Sequence, residues 1–219
     1  MNGDGYSDVV VNLVEASDLF VLGVFHGGPA GIPHGTVYDA QMLSQGGWSQ
    51  IAAAGDVNGD GYGDIMASAG GTVAISYGSA TGIGPNFENE ISDGPSSPLL
   101  SAIAAAGDVD GDGLGDVIVG SPFYTSAGRT FPHGAAFVFH GTSSGIPNGS
   151  THSAQTKLET NRDWSTMGSS VASAGDVNGD GYADVIVGDA MFAPTPFYPN
   201  GTSGPGAYAG CRRSSARRC

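Results

Sequence analysis

Three nine-residue stretches carry oxygen donors at fixed intervals: Asp56-x-Asn58-x-Asp60-Gly61-x-x-Asp64, Asp108-x-Asp110-x-Asp112-Gly113-x-x-Asp116 and Asp176-x-Asn178-x-Asp180-Gly181-x-x-Asp184. Side-chain oxygens at positions 1, 3, 5 and 9, with the main-chain carbonyl of position 7 (Tyr62, Leu114, Tyr182), form the hard all-oxygen shell that Ca²⁺ takes. Glycine at position 6 permits the sharp turn between them. A shortened copy, Asn2, Asp4, Tyr6 and Asp8, opens the chain. Two carboxylates about 5 Å apart repel by roughly 3 kcal/mol at an effective dielectric of about 20, so three or four on one turn call for a cation. An Asx-rich turn without an ion is the alternative, and the recurrence of one donor pattern argues against it. An EF-hand would need Glu at position 12 and helices on both sides. Position 12 is Ala67, Val119 and Val187, each inside strand-like sequence.

These turns recur because the chain itself repeats. Taking the position-5 acid as marker, Asp4, Asp60, Asp112 and Asp180 are 56, 52 and 68 residues apart. A second motif keeps step: Val24-Phe25-His26-Gly27, Ile75-Ser76-Tyr77-Gly78 and Val138-Phe139-His140-Gly141 are followed by turns at Gly31-Ile32, Gly82-Ile83 and Gly145-Ile146. The short runs Val117–Val119, Val185–Val187 and Ala136–Phe139 are β-branched or aromatic, and no stretch shows a sustained helical period. Small-residue runs precede each turn at 49–54, 101–106 and 169–174 and suit strands in a crowded centre. Each unit has room for four strands, which is the content of a propeller blade. The expectation is an all-β fold of antiparallel β-propeller blades in about four repeats, the first and last incomplete, forming part of a larger propeller. The units are a partial blade at 1–47, blades at 48–98 and 99–163, a partial blade at 164–210, and an atypical basic tail at 211–219.

The turns followed by Val-Ile-Val-Gly resemble the FG-GAP repeats of the integrin α-chain N-terminal β-propeller and its bacterial relatives. The likeness runs to about Tyr208. It implies an antiparallel propeller with Ca²⁺ in the turn between the first two strands of some blades, held by the residues named above. The signature dipeptide and tripeptide are altered here, to Met167-Gly168 and to Gly120-Ser121-Pro122 and Gly188-Asp189-Ala190.

The chain has 219 residues with 7 Lys+Arg against 21 Asp+Glu, a net charge of -14. That balance repels phosphate backbones, so nucleic acid is an unexpected partner. Twelve of the 21 acids lie in the four acidic turns, so the charge reflects those turns more than any partner. No apolar run reaches the ~18 residues of a membrane span, and no leader-like pattern opens the chain. Direct membrane insertion is therefore not expected. Both cysteines, Cys211 and Cys219, stand in the basic tail, leaving the body without a disulfide.

Catalysis needs a convergent constellation, and none stands out: there is no Gly-x-Ser-x-Gly, and His26 and His140 take the repeat position of Tyr77, as His34 takes that of Asn148. The asymmetric features are the loops 121–133 and 189–205, which carry Phe123, Tyr124, Phe131, Phe192, Phe197 and Tyr198. They are expected at the end of the blade opposite the acidic turns, either contacting a protein or glycan or folding down over the blade edge. The reading is a non-enzymatic, calcium-stabilised propeller segment that binds a protein or glycan, outside the cell or at its surface as the resemblance implies. The alternative is an accessory module of a secreted polysaccharide- or phospholipid-active enzyme. Asn148-Gly-Ser150 and Asn200-Gly-Thr202 are glycosylation sequons in a eukaryotic host. With further blades absent, the end faces lined by Val9–Val11 and Val185–Val187 are expected to be exposed and to drive association.

Overall fold

A computed structural model of the chain describes residues 1–14, 20–32, 34–35, 40–45, 47–94, 100–160 and 162–191. Among these residues thirteen strands form four antiparallel sheets. The first sheet holds β1 (Val9–Val14), β2 (Phe20–Phe25) and β3 (Gln41–Gln45). The second holds β4 (Gln50–Gly55), β5 (Asp64–Ala69), β6 (Thr72–Ser76) and β7 (Asn89–Ser92). The third repeats that order with β8 (Ala102–Gly107), β9 (Asp116–Ser121), β10 (Ala135–Phe139) and β11 (Thr156–Glu159). The fourth pairs β12 (Met167–Gly175) with β13 (Asp184–Asp189). Helical structure among the described residues is one 3₁₀ turn, Thr151–Ser153. The acidic turns at 56–64, 108–116 and 176–184 each join the first two strands of their sheet, and the shortened copy at 2–8 leads into β1. The all-β, antiparallel, four-strand blade is therefore the fold.

Alternation along the second strand of each blade builds the core, because side chains at period 2 point to opposite faces. In β9, Val117 and Val119 face the second sheet and pack with Met66, Val57 and Phe137, whereas Ile118 faces the fourth and packs with Val185 and Val187. The same rule joins the first two sheets, where Val10 packs with Ile65 and Ala67. Hydrophobic cores thus lie between neighbouring blades, not inside one. Each fully buried side chain such as Phe137 or Ile118 contributes about 1.5–3 kcal/mol.

Close approach at the third junction depends on glycine. A Cβ on Gly120 would sit 2.1 Å from the Gly168 carbonyl oxygen, and one on Gly168, at φ +88, would sit 2.2 Å from that of Ala135. Gly168 is the second residue of Met167-Gly168, so the altered signature keeps the atom count that its place requires.

The connection between β10 and β11 reaches back across the junction and covers the outer edge of the second blade. Gly149 exchanges main-chain hydrogen bonds with Glu90 and Ser92 (3.0 and 2.9 Å), the Glu90 amide donates to Asn148 Oδ1 (2.6 Å), and the Thr151 amide donates to Asp93 (2.9 Å). An otherwise open β7 edge is thereby occupied. The Asn148 of the first sequon is engaged in this latch.

Candidate metal centre

Each acidic turn is shaped by its own carboxylates accepting main-chain N–H groups, the local chemistry that favours Asp and Asn in turns. Position 1 accepts from position 6: Gly61 to Asp56, Gly113 to Asp108 and Gly181 to Asp176, each at 2.9 Å. Position 5 accepts from position 7: Tyr62 to Asp60 (2.9 Å), Leu114 to Asp112 (2.8 Å), Tyr182 to Asp180 (3.1 Å) and, in the first turn, Tyr6 to Asp4 (2.9 Å). At position 3 the Asn58 and Asp110 oxygens accept from the position-5 amides at 3.0 and 3.1 Å, and Asn2 does the same for Asp4 at 3.2 Å.

Position 9 does something the sequence did not announce. Asp64 accepts the Val57 amide of its own turn (2.8 Å) and the Gly78 amide beyond β6 (2.8 Å); Asp116 does the same with Val109 (2.7 Å) and Gly141 (2.9 Å). Asp8 binds the Gly27 and Asn2 amides. Asp184 takes the Val177 amide at 3.0 Å, and its third-strand partner has no counterpart among the described residues. The glycines involved, Gly27, Gly78 and Gly141, close the second motif that recurs in step with the turns. That in-step recurrence was the available signal.

Burial of these carboxylates without a countercharge is unfavourable. Burial pushes Asp64 up to about 6 against the pull of its two amides, with Asp60 and Asp56 adding to the rise. Burial also raises Asp116. One oxygen each from Asp108, Asp110 and Asp116 lies within 4.8 Å of the others, the one such group of three among the described residues. Three carboxylate oxygens converging on one point, one of them buried, fit a hard divalent cation. The turns at 56–64 and 176–184 have Asn58 and Asn178 at position 3 and bring fewer carboxylates together. Histidines lie against two turns: His140 Nδ1 is 2.8 Å from Asp110 Oδ2, and His26 Nδ1 is 3.3 Å from Asp8 Oδ1.

The blades also link their turns. The Gly115 amide donates to the Asp56 carbonyl (2.8 Å) and the Ala183 amide to the Asp108 carbonyl (2.7 Å). The position-7 side chain of one turn covers the position-4 glycine of the turn before: Tyr62 over Gly3, Leu114 over Gly59 and Tyr182 over Gly111.

The structure separates the loop aromatics. Tyr124 turns inward, edge-on to Phe137 with ring centres 5.1 Å apart, and Lys157 Nζ lies 5.5 Å from its ring centre. Phe131 turns outward onto Trp164 at 4.7 Å, and Phe123 is 54% exposed. Trp164 was not singled out in the sequence. It adopts φ 66 with its amide bonded to the Pro132 carbonyl at 2.7 Å, a conformation that costs a bulky side chain energy and holds the ring beside Phe131. Phe192, Phe197 and Tyr198 lie outside the described residues. Beside Tyr124, a cavity of about 550 Å³ is lined by Ser92, Asp93, Thr125, Ser150, Thr151 and His152.

One Ser-His-Glu cluster invites a catalytic reading, and its geometry argues otherwise. Ser126 Oγ (2.9 Å) and Glu159 Oε2 (3.2 Å) both meet His133 at Nε2, and Ser126 also donates to Glu159 at 2.6 Å. A relay needs serine and acid on opposite ring nitrogens. The buried His133 Nδ1 has no partner among the described residues, and the cluster pins the β9–β10 loop to β11.

Comparison with known proteins agrees with this architecture. The FG-GAP repeat family model matches residues 101–131 and 167–207. Integrin alpha pat-2 of Caenorhabditis briggsae is 33% identical over 167 residues, 69% of this chain and 13% of that protein. Integrin alpha-5 of Xenopus laevis is 36% identical over 88 residues, 40% of the chain and 8% of that protein. Phosphatidylinositol-glycan-specific phospholipase D of Bos taurus is 29% identical over 198 residues, 81% of the chain and 22% of that protein. The chain spans less than a quarter of the length of each of these relatives. No helix among the described residues is long and apolar enough to cross a membrane. With its repeated acidic turns, its inter-blade cores and these matches, the chain belongs to the FG-GAP repeat family of β-propellers found in integrin α chains.

Proposed function

We propose that the chain is a calcium-binding, non-catalytic propeller segment that presents a surface to an extracellular protein or glycan. The convergence of the Asp108, Asp110 and Asp116 oxygens carries the calcium part of this reading. Residues 56–64, 108–116 and 176–184 would each hold one ion through positions 1, 3, 5, 7 and 9, with Asn2, Asp4, Tyr6 and Asp8 a weaker fourth set. The ion would supply charge neutralisation at carboxylates that the fold already buries. The chain's own residues set the turn, and the position-9 acid ties it to the third strand. The Phe131–Trp164 pair, Phe123 and the hydroxyl-lined cavity beside Tyr124 offer the stacking and hydrogen-bonding surface for the partner. Phe192, Phe197 and Tyr198 belong to the same proposal from sequence.

Extracellular calcium modules bind at about 10⁻⁴–10⁻³ M, so at roughly millimolar calcium each site contributes about 0.4–1.4 kcal/mol by mass action. Three sites then supply about 1–4 kcal/mol, a large share of a typical domain stability of about 5–15 kcal/mol. Thermal melts with calcium and with chelator should differ by several degrees, and coincident melts would remove the calcium assignment. Glycan-array and matrix-protein binding by the calcium-loaded chain tests the partner: loss on Trp164→Ala supports this surface.

A second reading is favoured by the phospholipase D similarity, which extends over 81% of the chain. On that reading the segment is an accessory module beside a catalytic domain. Adjoining coding sequence distinguishes the two, since a hydrolase domain supports the accessory role and further repeats with a membrane anchor support adhesion.

A further inference from the structure

The cavity of about 550 Å³ beside Tyr124 is lined from both central blades. Ser92 and Asp93, which follow from β7 of the second blade, form one wall, and Tyr124 and Thr125 on the β9–β10 loop of the third blade form another. Ser150, Thr151 and His152 on the β10–β11 connection form the rest. Strand register places it at the end of the blades away from the acidic turns. β5 leaves its turn at Asp64 and ends at Ala69, which faces Thr72, and Thr72 in turn faces Ser92.

Hydrogen bonds fix these walls before any ligand arrives. The Thr151 amide donates to Asp93 Oδ1 (2.9 Å), the Ser92 amide to the Gly149 carbonyl (2.9 Å) and the His152 amide to Ser150 Oγ (3.3 Å). Tyr124 is wedged against Phe137 and His133, with ring centres 5.1 and 6.0 Å away. A site held in this way gives up little freedom on binding. One polar group in the wall is left over: Thr151 is 5% exposed, and its Oγ1 has no hydrogen-bond partner among the described residues. Buried hydroxyls are nearly always paired, so this one is an unused donor and acceptor beside the cavity.

The wall chemistry selects among ligands. An anion would face the Asp93 carboxylate with no Lys or Arg among the described lining residues to offset it. A cation would find Lys157 Nζ already 5.5 Å from the Tyr124 ring centre and Asp93 Oδ1 engaged by the Thr151 amide. A wholly apolar ligand would strip water from Asp93 and the hydroxyls without replacing its hydrogen bonds. A neutral sugar meets all three demands, since its C–H face packs on an aromatic ring while its hydroxyls donate to a carboxylate and exchange bonds with Ser and Thr. The volume lies within the range of about 300–1,000 Å³ usual for small-molecule sites. We propose that this cavity is a subsite for one neutral sugar residue of a glycan, an assignment that rests on the glycan form of the proposed function and makes it specific.

Protein-observed NMR on the full calcium-loaded chain tests this, with galactose, mannose and N-acetylglucosamine as neutral probes and glucuronate and methylguanidinium as charged ones. At least one neutral sugar should shift the Thr125, Ser150 and Thr151 amides saturably, and neither charged probe should do so. Thr125→Trp introduces bulk from an exposed wall position and should weaken that binding about tenfold or more. Asp93→Asn keeps an oxygen for the Thr151 amide but loses the charged acceptor, and should weaken it about tenfold. Thermal melts of Thr125→Trp should match wild type, so this variant carries the test even if Asp93→Asn loosens the β10–β11 connection. Neutral sugars that leave the three amides unmoved, or bind Thr125→Trp as tightly as wild type, overturn the subsite, as does a preference for either charged probe. Glycan binding that is lost in Trp164→Ala but unchanged in Thr125→Trp overturns the subsite alone and leaves the proposed function standing. Binding to a matrix protein with no glycan bound at all removes the subsite together with the glycan form of that function.

Discussion

The turns at 108–116 and 176–184 have almost the same sequence and almost the same shape, yet one is built into the protein and the other lies open. Their internal bonds agree closely, with the position-6 amide 2.9 Å from the position-1 acid in both. Their surroundings differ. Asp116 is fully buried between two amides, and Val109 packs against the fourth blade; Asp184 has one amide among the described residues and Val177 is 71% exposed. Local Asx chemistry therefore sets the conformation of the turn, while the third strand and the next blade set its burial. The second set of contacts should therefore decide how much each turn contributes to stability.

The largest difference should appear at the end of the second strand, where Gly120 and Gly188 are equivalent. The Gly120 Cβ position is crowded by main chain, the Gly168 carbonyl, whereas that of Gly188 is crowded by Ser170 Oγ at 2.2 Å, which can rotate away. Gly120→Ala should cost about 3 kcal/mol through forced separation of two blades, and Gly188→Ala under about 1 kcal/mol. Urea unfolding of the two variants measures it. Equal losses would mean the third junction is no tighter than the open end.

Next comes the position-9 acid. Asp116→Ala orphans two amides, at about 1–3 kcal/mol each, but also relieves a carboxylate whose burial raises its pKa. The net loss should be about 2 kcal/mol in chelator and larger in calcium, where the charge is compensated. Asp184→Ala removes one bond at a half-buried site and should cost about 1 kcal/mol. Chemical denaturation with and without calcium separates the two contributions.

Most of this comparison could be seen in the sequence, and the part that could not has a physical cause. The repeat period, the β texture and the donor spacing are local, and they led to the antiparallel blades. The pairing of Asp116 with Gly141 spans 25 residues, and no local rule reveals it. Trp164 escaped notice because its importance arises from a left-handed backbone and a neighbour on another loop. Tyr124 and Phe131 are alike in the sequence, and only the packing of Phe137 beneath one and Trp164 beside the other separates them.

Across the blades, charge should rank the proposed calcium sites. Asp110 provides a fourth carboxylate where the other two turns have Asn58 and Asn178, so the 108–116 turn should bind calcium most tightly. Asp110→Asn should lower its affinity roughly tenfold toward that of its neighbours, read by titration calorimetry as the merging of two classes of site. Unchanged affinity would show that position 3 does not ligate. The His140 contact at 2.8 Å to Asp110 competes for the same oxygen, so His140→Ala should move the affinity the other way.

The smallest effect concerns Glu159, which ties the β9–β10 loop of the third blade to β11. Its hydrogen bond from Ser126 is the largest cause of a pKa brought down from 4.5 to about 2; burial, the next largest, opposes it, and Lys157 and His133 add to the lowering. A carboxylate held below its unfolded value stabilises the fold above that value, and the contribution disappears as pH falls from about 4.5 through about 2. Asp64 works in the opposite sense in metal-free protein. Its folded pKa of about 6 exceeds the ordinary 3.8, so protonation favours the fold as pH falls from about 6 toward 4. The two slopes overlap near pH 4, so the informative quantity is the difference between wild type and Glu159→Gln across the range. That difference should be constant above pH 5, shrink below pH 4.5 and nearly vanish by about pH 2. Glu159 is partly exposed, so the difference should also shrink with added salt. A gap that is independent of pH would mean that Glu159 holds the loop by packing and neutral hydrogen bonds, leaving the charge without a role in separating the third blade from the fourth.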